Sequence, residues 1–188
     1  MRKPAFAFLL LASAAASSAA LLSATQPAFA DEAELPGPDT QFLAKAIISG
    51  RGEVELSQLA SQKAAQAEVK QFAEHMVKDH TATNDKLIGE AQRHKIKTEG
   101  TYGTPPLDPS KQAQTAKQQL ESLSGSQFDK VYMQHMIQDH TQAVILFQDE
   151  AKSGKDTSLH DLAGATLPII EEHLKQAREI GGRVGVQS

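Results

Sequence analysis

Residues 75–81 read HMVKDHT, and residues 135–141 read HMIQDHT. Five of the seven positions match: His75/His135, Met76/Met136, Asp79/Asp139, His80/His140 and Thr81/Thr141. A weaker third copy, IIEEH, occupies residues 169–173. Each copy ends in the order apolar, apolar, polar, acid, His. On a helix, the residues three and four before a side chain share its face. Here those residues are Met or Ile and Val or Ile, so His80, His140 and His173 each continue an apolar stripe. They are expected to point into a core. Three imidazoles with a carboxylate beside them suit Zn, Cu, Fe or Ni. The competing reading is packing alone, in which each imidazole is a core residue bonded to a carboxylate or a carbonyl.

The carboxylate could come from Glu53 or Glu55, both near the middle of the first expected helix. His75 and Asp79 are spaced i, i+4, as are His135 and Asp139, so each pair is expected to bond along its own helix flank. Alternatively these residues, with Glu172, orient the ligands from outside. Met76 and Met136 stand one turn before His80 and His140. A thioether there could reach copper, but Met on an apolar stripe is more simply core. His94 and His160 read as solvent-side residues near helix ends.

The elements that must hold these residues are helical. Ala, Gln, Glu and Lys abound, there is no Trp, and only two Tyr occur, a balance that favours helix over sheet. Asp39 or Thr40 can cap a first helix reaching about Ser61. A second runs from about Ala65 to His94, with Val69, Phe72, Met76, His80, Thr83 and Leu87 along one face. Lys95 to Pro109 is rich in Gly and Pro and reads as a loop. Asp108 before Pro109 starts a short third helix ending at Leu123. The fourth spans about Ser126 to Ser153, with Gly154 as its C-terminal cap. The last begins at Asp156 or Thr157 and ends at Gly181-Gly182, with a kink expected at Pro168. No segment alternates like a strand. An antiparallel all-α bundle of four long helices and one short one follows. His80 and His140 fall at mid-helix and His173 within about 10 Å of it, so the three can meet at one level.

Residues 1–30 are set apart. Arg2 and Lys3 precede an apolar run, and Ala28-Phe29-Ala30 offers small residues at a cleavage site, the pattern of a secretory signal. Residues 31–38 are expected to be a flexible leader, 39–182 the bundle and 183–188 a tail. Export to the periplasm or cell envelope is expected, with no membrane anchor after cleavage. No Cys occurs, which excludes disulfides and a lipid-modified Cys. Without Arg2 and Lys3, 17 basic residues face 23 acidic ones, and the formal charge moves from −4 to −6. Nucleic acid is therefore not an expected partner.

The segments FLAKAIISGRGEVELSQLASQKA (42–64), EVKQFAEHMVKDHT (68–81) and LPIIEEHLKQA (167–177) resemble the domain-of-unknown-function family numbered 4142. That resemblance spans about residues 39–181 and implies a ferritin-like bundle at the envelope, with no established activity. Ferritin-like di-iron sites use Glu-x-x-His on two helices. Phe72, Val77, Ala91, Tyr132, Ile137, Thr157 and Ile170 stand three residues before the seven histidines, and none is acidic, so a di-iron centre is not expected. HMIQDHTQAVILF (135–147) also resembles an exported bundle family with a Met-Met-Ile-x-His-His core that is associated with copper, but Asp139 replaces the first His. Two functions are carried forward. One is a non-catalytic periplasmic bundle acting through its surface, in envelope stress or on a protein partner. The other is a mononuclear metal-binding or redox bundle. A hydrolase is a distant third, because no serine stands convincingly beside an acid-His pair.

Overall fold

Residues 35, 37–98 and 110–187 are described by a computed structural model. The expected signal sequence, most of the leader and the Asp108-Pro109 helix start lie outside the described residues. Five helices carry the rest: α1 Gly37–Lys63, α2 Ala67–Arg93, α3 Lys111–Glu121, α4 Gly125–Ser153 and α5 Thr157–Arg183. Among the described residues there is no strand. None of the described helices is long and apolar enough to cross a membrane. The fold is a ferritin-like antiparallel bundle.

Two helical hairpins make the bundle. α1 packs along α2 and α4 along α5, and the hairpins meet through α1 against α4 and α2 against α5. α2 and α4 are therefore diagonal, and so are α1 and α5. The hairpins are copies of one plan. Lys63 corresponds to Ser153, Ala67 to Thr157 and Arg93 to Arg183, each boundary displaced by 90 residues. The helix ends repeat too. Ile96 N–H donates to Ala91 O at 2.7 Å and Val186 N–H to Gly181 O at 2.8 Å. Those bonds, with Lys95 to Gln92 and Gly185 to Gly182, close both hairpins with Schellman turns. The left-handed residue is Gly185 in one (φ 87°) and Lys95 in the other (φ 56°). The similar motifs on α2 and α4 are thus not the structural repeat.

Each hairpin also caps the other. Asp129, fully buried near the start of α4, accepts from Ala65 N–H at 2.9 Å and Gln66 N–H at 2.8 Å. Gln66 makes no cap of its own. Asp39, near the start of α1, accepts from Lys155 N–H at 3.0 Å and Asp156 N–H at 2.6 Å. Asp39 and Asp129 are themselves 90 residues apart. A carboxylate from one hairpin thus satisfies backbone donors that the tight turn of the other would leave orphaned.

Several expected boundaries shift. α1 begins at Gly37, inside the expected leader, because Pro38 fits a first helical turn whose N–H groups have no helical partner. α3 is capped by Ser110, whose hydroxyl accepts from Ala113 N–H at 3.1 Å, and it ends at Glu121 rather than Leu123. Gly154 follows α4 with φ −54°, not left-handed. Its missing Cβ matters instead, since a Cβ there would lie 2.7 Å from both the Glu150 carbonyl and a Glu150 carboxylate oxygen. α5 runs uninterrupted through Pro168 and through Gly181-Gly182 to Arg183.

Apolar side chains fill the bundle in two blocks. One contains Leu56, Phe72, Met76, Phe128, Tyr132 and Met136. The other contains Phe42, Leu43, Ile47, Leu87, Phe147 and Leu159. Both methionines of the twin motifs are therefore core. Asp129→Ala should lower stability by about 2 kcal/mol, because two backbone donors in a tight turn lose their acceptor. Urea unfolding of the parent and the variant measures this, and an unchanged midpoint would refute the interhairpin cap.

Candidate metal centre

Between the two apolar blocks lies a polar layer. α2 contributes His80, α4 His140, α5 His173 and α1 Glu53, and all four are buried. The imidazole centroids are 5.3, 5.4 and 5.5 Å apart. One ring nitrogen from each histidine lies within 4.8 Å of the other two. It is the one group of three or more such side chains placed this closely among the described residues.

Every ring is held by one nitrogen. His80 Nδ1 is 2.8 Å from Glu53 Oε2. His140 Nδ1 donates to the Met136 carbonyl at 2.9 Å. His173 Nε2 donates to Asp79 Oδ2 at 3.1 Å. Carbonyl and carboxylate oxygens accept, so these nitrogens carry the protons and the tautomers follow. The opposite atoms, His80 Nε2, His140 Nε2 and His173 Nδ1, are buried without a hydrogen-bond partner in the protein. So is Glu53 Oε1, which stands 3.8 Å from His140 Nδ1. Anchoring one imidazole nitrogen while leaving the other free is how proteins prepare histidine as a ligand.

The electrostatics single out one proton. Burial acts to raise the Glu53 carboxyl, but His80 and His140 outweigh it and hold the group down to about 2. Glu53 is therefore an anion. Burial acts to lower His80, yet the Glu53 charge and hydrogen bond raise it above the ordinary histidine value. Burial pushes His140 down to about 4, Glu53 opposing and the other two rings reinforcing the shift. His173 is lowered as well, chiefly by burial and then by His80. Near neutral pH the layer holds a Glu53 anion, one histidine inclined to protonate and two neutral imidazoles.

The remaining expected site residues separate. Glu55 turns to the flank of α1 and pairs with Lys117 at 3.1 Å, because two residues along a helix is about 200° of rotation from Glu53. The expected bonds His75–Asp79 and His135–Asp139 do not form. Asp79 crosses to His173 on α5, and His135 Nε2 lies 3.4 Å from Gln119 Oε1. Asp139 is pushed up to about 7, first by burial and then by the Glu53 charge. Glu172 is exposed and bonds Gln176 at 2.9 Å and Lys175 at 3.4 Å. His94 is not on the solvent side: its side chain is 8% exposed and 3.4 Å from Asp156. His160 is, at 46%.

Some neighbours had no signal in the sequence. The Met136 carbonyl is a backbone atom that accepts from a side chain four residues later. Gly50 and Gly52 sit inside α1 because a Cβ would come within 2.4 Å of Asn84 Oδ1 at one and 2.7 Å of the Ala113 Cβ at the other. They let α2 and α3 close on the turn that carries Glu53. Two glycines so close in a helical pattern were the available hint of such an approach. A cavity of about 30 Å³ adjoins the layer, with Glu53, Asp79, His80, Asn84 and His173 in its wall. His140 is not in that wall, so the space opens to one side of the cluster.

No curated protein matches this chain. Solved structures do. A DUF305 fragment from Deinococcus radiodurans has a TM-score of 0.66 at 14% identity, covering 79% of this chain and 98% of its own. A DUF305 protein from Streptomyces coelicolor has a TM-score of 0.67 at 16% identity, covering 80% and 96%. CopM in its Cu(II)-bound form has a TM-score of 0.60 at 15% identity, covering 77% and 96%. At these identities the likeness is one of fold. Residues 24–180 match the family described as "Domain of unknown function (DUF4142)", and the chain belongs to that family.

Proposed function

We propose that this protein is a non-catalytic, exported bundle that binds one transition-metal ion at His80, His140 and His173, with Glu53 supplying the negative charge beside it. One observation carries the reading. Three buried imidazoles from three helices each fix one nitrogen on a protein acceptor and leave the other unpartnered, with a nitrogen of each within 4.8 Å of the others. A packing role alone accounts for the fixed nitrogens but not for the free ones, since buried polar atoms are nearly always bonded. Tetrahedral zinc would space its nitrogens roughly 3.3 Å apart, so loading draws the rings inward.

The donor set is nitrogen with an anionic oxygen, which suits Cu(II) and Zn(II) over Mg or Ca. Cu(II) heads the ordinary affinity series, and CopM, of the same fold, holds Cu(II). Copper is therefore the ion we assign first. The absence of Glu-x-x-His and the presence of one buried carboxylate, Glu53, in the histidine layer speak against a di-iron centre. Placement in the periplasm or cell envelope is supported by the N-terminal signal pattern.

Cu(II) at a hundredfold excess over its Kd should stabilise the protein by about 2.7 kcal/mol, a melting-temperature rise of roughly 5–10 °C for a domain of this size. His140→Ala should abolish that rise and His160→Ala should keep it. Equal responses in differential scanning fluorimetry would refute the site.

Binding should also compete with one proton. The raised His80 binds a proton that the ion must displace, so apparent affinity begins to fall while pH is still above the ordinary histidine value and keeps falling below it. His140, held down to about 4, stays neutral over that range, and His173 is lowered as well. Apparent Kd should therefore rise about tenfold per pH unit between pH 6.5 and 5. Glu53→Gln removes the charge that raises His80 and should flatten the dependence. A slope of three protons per ion, read by isothermal titration calorimetry across pH, would contradict this ordering.

A further inference from the structure

A buried centre needs a way in, and the cavities identify one. An open cleft of about 310 Å³ lies on the seam between α2 and α5, lined by His75, Asp79, Ile169, Glu172 and His173 among others. The inner cavity beside the histidine layer is lined by Asp79, Ile169 and His173 as well. Those three side chains are the wall that the two spaces share. The Asp79–His173 hydrogen bond crosses the seam there, with Asp79 39% exposed and His173 only 7%. Ile169 is one of two large hydrophobic residues left exposed among the described residues, at 43%.

We propose that this cleft is the access route of the metal ion to the inner site, an inference that rests on the function proposed above. His75 and Glu172, both exposed, stand at the outer mouth with Asp79 at its floor. They supply an imidazole and two carboxylates on the path of a hydrated cation. Ile169 and the Asp79–His173 bond form the partition. His173 faces both sides of it: Nε2 is tied to Asp79, and Nδ1 is buried without a partner. The ring can therefore take up an arriving ion while keeping its anchor. α5 is adaptable at this level, because Pro168 has no N–H to donate to the preceding turn.

A second groove, of about 410 Å³ between α1, α3 and α4, is larger but less suited. Glu53, His135 and Asp139 line it, and none of His80, His140 and His173 does. An ion arriving there would meet Glu53 but none of the three imidazoles.

The chain has no cysteine, so a single introduced thiol can be capped selectively. Ile169→Cys carrying a bulky maleimide should slow Cu(II) uptake by the metal-free protein at least tenfold, with one ion per chain still bound at the end. Release to a chelator should slow by the same factor. Gln142→Cys with the same adduct, placed in the α1/α3/α4 groove, should load at the parent rate. Stopped-flow absorbance measures both. Unchanged uptake in the Ile169 adduct, or equal slowing in the two adducts, would overturn the route while leaving the site intact. If the unmodified parent takes up no Cu(II), the proposed function itself fails and the route fails with it.

Discussion

A carboxylate held as an anion at the centre of a helical bundle organises the rest of this molecule. Glu53 is buried from every side, and removing one partner of a buried ion pair typically costs about 3–5 kcal/mol. Its charge has to be answered by groups on other helices. His80 answers it directly and His140 from slightly further away. The layer therefore links α1 to α2 and α4. That requirement divides the apolar core into two blocks, and Gly50 on α1 leaves room for the Asn84 side chain of α2. It also leaves three imidazoles facing one another. Electrostatic compensation in the resting protein and ligand preparation for a metal are here the same arrangement.

Much of the scaffold was legible in the sequence. The periodicity of Val69, Phe72, Met76, His80 and Leu87 gave α2 its inward face, and the acid-His motifs identified the three rings that meet. Legibility stopped where a side chain reaches across to another helix. Asp79 and Asp139 have the i, i+4 spacing of local partners, yet Asp79 bonds α5, because spacing records proximity and not the stronger competing acceptor or donor. Asp39 and Asp129 cap turns more than sixty residues away in sequence, which no local pattern reveals. Glu53 and Glu55 were equivalent in the sequence, because α1 packs against α2, α3 and α4 and so has no single apolar stripe to choose between them.

The interhairpin caps bear on how the site is assembled. Neither hairpin carries a complete donor set: α1 and α2 bring Glu53 and His80, α4 and α5 bring His140 and His173. Asp39 and Asp129 fix the two halves at opposite ends of the bundle, and the polar layer falls between those fixed points. Register between the hairpins is thus set by backbone-directed carboxylates before any ion is involved. The arrangement suits a site whose rings must lie within a few ångströms of one another.

The 90-residue repeat carries one more implication. Displaced by that interval, Glu53 corresponds to Ala143, His80 to Ile170, His173 to Thr83 and His140 to Gly50. All four counterparts line the inner cavity. The centre is thus a lopsided layer in a nearly two-fold frame, with bulky donors at four positions and smaller or uncharged residues at their mirror positions. Filling both sets alike would crowd one level with six imidazoles and two carboxylates. The departure from two-fold likeness is therefore what leaves open space beside the rings.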